Sequence, residues 1–249
     1  MSHEGGANET EGLSRSIRIG VPDQQFPKNE IKTTRYEWYN FLPYNLMNQM
    51  RNGSNIYFFV IGLLQMIRMI SPTDGYPIIF VPLTFVLSLN CLRDLIEERK
   101  RRNKDYEINH RVCHRALDFD ATLRVFQKEI QVGQVLKINK DETFPADLVL
   151  LASSEKGCCY IETKDLDGES YFKRKEIPRK LYEASYNFKH LVEGESIMEC
   201  EEPSKHMYHF SGVLTHGKDC VAFDNNNFLL SGASLKNTEW IIGLVVFTG

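Results

Sequence analysis

The sequence has no long unbroken apolar run, no excess of positive charge and no paired-cysteine motif. Of its 249 residues, 30 are Lys or Arg and 33 are Asp or Glu, a net charge of −3 that gives no support to nucleic-acid binding. The six cysteines (Cys91, Cys113, Cys158, Cys159, Cys200, Cys220) form no Cys-x-x-Cys pair, and His110/His114 and His206/His209 are the only close histidine pairs. No metal site is therefore expected, and the thiols read as reduced and cytosolic. No Gly-rich phosphate loop followed by Lys-Ser or Lys-Thr occurs, which removes that kind of nucleotide cradle. Met1 to Glu30 is polar and lacks the apolar core of a signal peptide, so it reads as a disordered cytosolic arm. A mean hydropathy of −0.34 makes any membrane part a minority of the chain.

Two broken apolar runs are present. Ile56 to Ile70 is interrupted late by Gln65 and Arg68, and Tyr76 to Leu92 contains Pro77, Pro82, Ser88 and Asn90. Ser71-Pro72-Thr73-Asp74-Gly75 between them is a turn sequence. As helices they would be about 22 and 25 Å long, short of a hydrocarbon core of about 30 Å. Hydropathy alone leaves a membrane hairpin and a buried helix pair both open. The flanks favour the hairpin. Arg51 precedes the first run, Arg93 and Arg99-Lys100-Arg101-Arg102 follow the second, and the connecting loop has no Lys or Arg. That pattern places both ends on the cytosolic side. Gln65, Ser88 and Asn90 would then face protein or a watery groove. Asn8-Glu9-Thr10 and Asn52-Gly53-Ser54 fit the glycosylation pattern but fall on the cytosolic side, where they would go unused.

Beyond a charged stalk from Asp94 to Arg102 the texture becomes strand-like. Leu123–Phe126, Val135–Ile138, Leu148–Leu151, Phe210–Leu214, Phe228–Leu230 and Trp240–Phe247 are short apolar runs bounded by turn residues. Pro178 to Leu191 predicts one helix, with Leu181, Ala184, Phe188 and Leu191 on a stripe. Within this region Asp167-Gly168-Glu169-Ser170 follows Phe144-Pro145-Ala146-Asp147 and Tyr160-Ile161-Glu162-Thr163. Gly168 lets the backbone turn sharply and approach another surface. Glu169 can orient or deprotonate a water, and Ser170 offers a hydroxyl to fix the acidic group. As four residues alone the same letters also describe a plain turn.

The motifs together resemble the P-type ATPases of the phospholipid-flippase branch, the P4 type, from about Asn29 to Gly249. Phe41-Leu42-Pro43-Tyr44-Asn45-Leu46 and Gln49 resemble the stretch before the first membrane helix, and Leu63-Leu64-Gln65-Met66-Ile67 the end of that helix. Val81-Pro82-Leu83 and Arg93-Asp94 resemble the second helix and its stalk. Ile161-Glu162-Thr163, Leu166-Asp167-Gly168-Glu169-Ser170, Leu235 to Trp240 and Phe247-Thr248-Gly249 resemble the actuator domain. There are departures. The family loop reads Asp-Gly-Glu-Thr followed by Asn-Leu-Lys, whereas here Ser170 is followed by Tyr171-Phe172-Lys173. Gln65-Met66-Ile67-Arg68 replaces the family's Gln-Gln-Ile-Pro in a helix that lines the headgroup path.

The resemblance implies an α+β chain: a cytosolic arm over 1–50, a hairpin over 51–97 and a stalk with actuator domain over 98–249. The two spans would lie at about 55–70 and 76–95. The actuator would be mostly β, a distorted jelly roll with a helical insertion. It further implies that Asp167, Gly168, Glu169 and Ser170 act in hydrolysis of an aspartyl-phosphate, with Gln65, Met66 and Asn90 on the substrate path. No Asp-Lys-Thr-Gly-Thr motif occurs, so the phosphorylation and nucleotide domains, with their ATP and Mg2+, are expected outside this chain, which itself binds no cofactor. The implied partners are a phospholipid, the membrane and a two-span accessory subunit, with residence in eukaryotic endomembranes or the plasma membrane. Two other readings stay open here: a non-catalytic membrane protein that regulates a full-length pump, and part of a cation-pumping P-type ATPase.

Overall fold

The computed structural model describes residues 14–22, 25–69, 71, 75–118, 121–183, 191, 196–203 and 209–249. The chain divides into two compact units, Met1–Glu30 with Asn109–Gly249, and Ile31–Ile108.

The first unit is a mixed fold dominated by antiparallel strands in three sheets. The largest runs in the order β11-β5-β13-β4-β2-β3. Its strands are β2 (Val112–Ala116), β3 (Thr122–Phe126), β4 (Val135–Asn139), β5 (Asp147–Ser153), β11 (Phe228–Leu229) and β13 (Trp240–Phe247). At its centre β13 pairs with both β4 and β5, so Leu244 lies opposite Val135 on one side and Val149 on the other. Leu148 to Leu151 and Ile241, Ile242 and Leu244 to Val246 are buried, which is why these strands are apolar without alternation. A second sheet has the order β1-β8-β9-β10, from β1 (Ser14–Arg18), β8 (Ile197–Glu201), β9 (Gly212–His216) and β10 (Asp219–Phe223). The third joins β12 (Ser234–Lys236), β6 (Cys158–Glu162) and β7 (Lys173–Glu176).

The disordered arm expected over Met1 to Glu30 requires correction from Ser14 onward. β1 pairs with β8, and Ile17 and Ile19 are buried while the intervening Arg18 is not. That alternation is the signature of a half-buried strand, hidden in sequence by the arginines beside it. Gly133 shows how tightly the arm is seated. Its φ is +87°, and a β-carbon there would fall 2.4 Å from the Val21 carbonyl oxygen. Further on, buried Asn29 donates through Nδ2 to the carbonyls of Gln127 (3.0 Å) and Pro145 (2.9 Å). The helix expected from Pro178 begins as α5 (Arg179–Glu183), while Ala184 and Phe188 lie outside the described residues.

The second unit contains α1 (Phe41–Met50), α2 (Gly53–Gln65) and most of α3 (Phe80–Asn109). Asn52 caps α2, its side chain accepting the Ser54 N–H. The extended segment Thr33 to Tyr36 is held by carboxylates of α3. Asp105 accepts the N–H of Thr33 (2.8 Å) and Thr34 (3.2 Å) and the Thr33 hydroxyl (2.6 Å), while Glu98 accepts the N–H of Arg35 (2.8 Å) and Tyr36 (3.1 Å). Backbone donors with no strand partner thereby find acceptors.

Among the described residues no helix is long and apolar enough to cross a membrane. The run expected over 55–70 is helical as α2 only to Gln65, and the run expected over 76–95 enters α3 at Phe80, after Pro77. α2 has 13 residues, about 20 Å. α3 has 30 residues, but its apolar portion stops at Leu92, before Arg93 and Asp94.

Candidate functional site: the acidic loop

The strands β6 and β7 pair antiparallel with Ile161 opposite Lys173, and the segment joining them carries the acidic motif. After β6 the chain makes one helical turn, α4 (Lys164–Asp167), anchored by Leu166, which packs against the core. Gly168 ends the turn in the left-handed region at φ +78°, and nothing lies within 4 Å of the place its β-carbon would occupy. Glycine is required by the backbone conformation rather than by crowding, and the loop stands open on that side.

Asp167 is a hub. Its carboxylate accepts the Thr163 hydroxyl (2.8 and 3.0 Å), the Glu169 N–H (2.9 Å) and the Lys173 ammonium. Lys173 also reaches Glu169 Oε2 at 2.7 Å. Lys173, chiefly, holds the Asp167 carboxyl far below the usual carboxylate range. Glu169 is lowered too, first by Lys173 and then by a hydrogen bond from Tyr171, whose phenol is raised in return. The ammonium of Lys173 is pushed above its ordinary range by the two carboxylates. At neutral pH the loop therefore presents an ionised, half-exposed Glu169 fixed from behind by one cation.

The four loop residues named from sequence are contiguous on this exposed turn. Thr163, one helical turn before Asp167, donates its hydroxyl to Asp167, and Ser170 is exposed. Lys173 and Thr163 were missed as site residues. Thr163 follows the strand as a plain N-cap letter, and Lys173 opens a Lys-Arg-Lys-Glu run that reads as solvated surface.

The residues named for the substrate path are not brought together. Gln65 Oε1 accepts the Ile79 N–H (3.2 Å), closing the turn between the helices, and Met66 caps α2 with its side chain exposed. Asn90 lies about 16 Å further along the helix from Ile79. It lines a cavity of about 460 Å³ with Asn52, Asn55, Leu83 and Val86.

The carboxylate loop on a β body and the sequence comparisons together define part of a P-type ATPase. Residues 7–79 match the family described as phospholipid-translocating ATPase N-terminal. The chain is 39% identical over 227 residues, 91% of its length, to phospholipid-transporting ATPase tat-1 of Caenorhabditis elegans. It is 36% identical over 234 residues (92% of the chain) to phospholipid-transporting ATPase IC of Mus musculus, and 37% identical over 253 (96%) to probable phospholipid-transporting ATPase 12 of Arabidopsis thaliana. Over most of its own length the chain matches the N-terminal region of phospholipid-transporting, P4-type ATPases. It spans about a fifth of the length of these relatives, covering 18–20% of each.

Proposed function

We propose that this chain is the actuator domain and first membrane hairpin of an ATP-driven phospholipid translocase. The single observation that carries the reading is the open, Gly168-turned loop holding an ionised Glu169 in a chain of this family. In the proposed step, water attacks the phosphorus of an aspartyl-phosphate on another domain. Glu169 accepts the water's proton, the P–O bond to aspartate breaks, and inorganic phosphate leaves. Gly168 lets the loop approach that domain, and Asp167 fixes the Glu169 backbone. In this reading ATP and Mg2+ are held by the phosphorylation and nucleotide domains of the full-length pump. The same loop joins a jelly-roll-like body in the proposal, and rotation of that body works the stalk end of α3.

The membrane assignment is supported by a helical unit that is inside out. Within the expected hairpin Asn55 is buried, while Tyr57, Phe59, Leu63, Leu64, Phe85 and Leu89 are exposed. In water this arrangement forgoes apolar burial and desolvates polar groups; next to hydrocarbon both choices are favourable. We infer a hairpin with both termini cytosolic, a phospholipid headgroup passing near Asn90, and docking to a two-span accessory subunit. The alternative of a regulatory, non-catalytic protein has no observation in its favour.

The test is lipid transport by the full-length pump in vesicles. Wild type should move a fluorescent phospholipid between leaflets on addition of ATP and Mg2+, and Glu169→Gln should not. Equal transport by both would remove Glu169 from the mechanism.

A further inference from the structure

Deepening that reading, and resting on it, we propose that Lys173 is a positioning residue for the water-activating step. It orients the Glu169 carboxylate and cancels one of the two negative charges that the loop would otherwise carry toward a phosphate.

The argument starts from where the three charges sit. Asp167 and Glu169 are two residues apart: Asp167 ends the α4 turn, which Leu166 anchors on the core, and Glu169 follows Gly168 on the open side of the loop. Lys173 is instead the first residue of β7, paired to β6, whose Cys159 and Ile161 are buried in the core. The cation therefore comes from a rigid strand and reaches out to two acids on the loop, touching Asp167 Oδ2 and Glu169 Oε2 together. Tyr171 adds a hydrogen bond to Glu169. A site built this way holds its acid by a supporting group anchored elsewhere in the fold.

The electrostatic need is equally plain. A phosphate bound to another domain is anionic, and two carboxylates brought against it would repel it. With Lys173 between them the loop carries one net negative charge instead of two. Glu169 Oε2 is engaged by the ammonium at 2.7 Å, and the side chain as a whole stays 43% exposed. The cost is a less basic Glu169, and the gain is a fixed direction for it. Arg at this position keeps the charge and can bridge both acids, whereas Met keeps the stem and loses the charge.

Two measurements test this. The first uses the 249-residue chain in detergent, with labelled glutamate side chains titrated by NMR and Glu169 assigned by its disappearance in Glu169→Gln. Lys173→Met should raise the Glu169 pKa toward the ordinary glutamate value, and Lys173→Arg should leave it low. Superimposed titration curves for wild type and Lys173→Met would overturn the proposal. The second follows decay of preformed phosphoenzyme in the full-length pump against pH. Lys173→Met should slow decay by about tenfold, at the low end of what acid–base groups contribute. Its acid limb should move to higher pH, because water activation needs ionised Glu169, and Lys173→Arg should restore most of the rate. Slower decay with an unmoved acid limb and no rescue by Arg means a merely structural lysine and sinks the idea. If Glu169→Gln slows decay and Lys173→Met does not, Lys173 is dismissed while the actuator reading stands. If neither slows it, both fall.

Discussion

Asn45 donates through Nδ2 to Asp94 Oδ2 at 2.6 Å, a part-buried hydrogen bond on a helix whose Leu42 and Leu46 are exposed. Gln49 Nε2 in turn donates to Asn45 Oδ1, and Asn55 Nδ2 to the Gln49 carbonyl at 2.7 Å. α1 is tied to α3 and to α2 by these amides, while α2 meets α3 through Phe59 and Phe80, whose rings lie 5.8 Å apart. Asn45→Leu leaves Asp94 and Gln49 without this partner and should cost about 1–3 kcal/mol in unfolding measured in lipid nanodiscs. Met47→Gln, on the exposed face, should leave that stability nearly unchanged while weakening binding to lipid vesicles. The reverse pair of results would mean that the outward face of α1 meets protein rather than lipid.

Topology follows from the same unit. A cysteine placed at Thr73, in the turn outside the described residues, should react with an impermeant reagent from the far side of sealed vesicles. Cys220, exposed on β10, should react only from the cytosolic side. Labelling of both from one side contradicts the hairpin.

The seating of the N-terminal arm makes a ranked prediction for two glycines. Gly133→Ala must place a β-carbon 2.4 Å from the Val21 carbonyl while also holding a positive φ. Gly168→Ala meets only the backbone penalty, about 1–2 kcal/mol, because its surroundings are open. Urea unfolding should show the larger loss for Gly133→Ala. Equal losses would mean that residues 17–21 do not stay packed on this turn.

The charge cluster sets a pH window. Asp167 and Glu169 have folded pKa values below their unfolded ones, so their contribution is fully present above about pH 4 to 5 and is lost as pH falls through the folded values. Lys173 is raised, so its contribution is present below about pH 10 and is lost as pH rises through its folded value. The Gly168 amide resonance should therefore hold still across about pH 5 to 10, because the folded values of the two acids lie below that range and that of Lys173 above it. Midpoints at the ordinary values, about pH 4 for the acids and about pH 10 for the lysine, would indicate that the three groups are not paired.

The sheet centre was legible because burial on both faces leaves continuous apolar runs. β4, β5 and β13 lie where Val135–Ile138, Leu148–Leu151 and Trp240–Phe247 predict them. β1 and β7 were not, since Ser-Arg-Ser-Ile-Arg and Lys-Arg-Lys-Glu lie at sheet edges where charged side chains face water. The acidic loop could be found by its glycine and its context. Lys173 stands where the family loop also has its lysine, but its contact was hidden, because only the pairing of β6 with β7 turns it back onto Asp167. Gln65, placed on the headgroup path by the resemblance alone, has a bond no sequence pattern announces: its Oε1 accepts the Ile79 N–H.

The account turns on Glu169, and the most direct measurement is the decay of phosphoenzyme after a chase in the full-length pump. Glu169→Gln keeps the shape and an oxygen but removes the base and the charge. Phosphoenzyme should still form, and its decay should slow by about 10² to 10⁴-fold, the range typical of a lost general base. Decay at the wild-type rate, with no accumulation of phosphoenzyme, would contradict the role assigned to this loop.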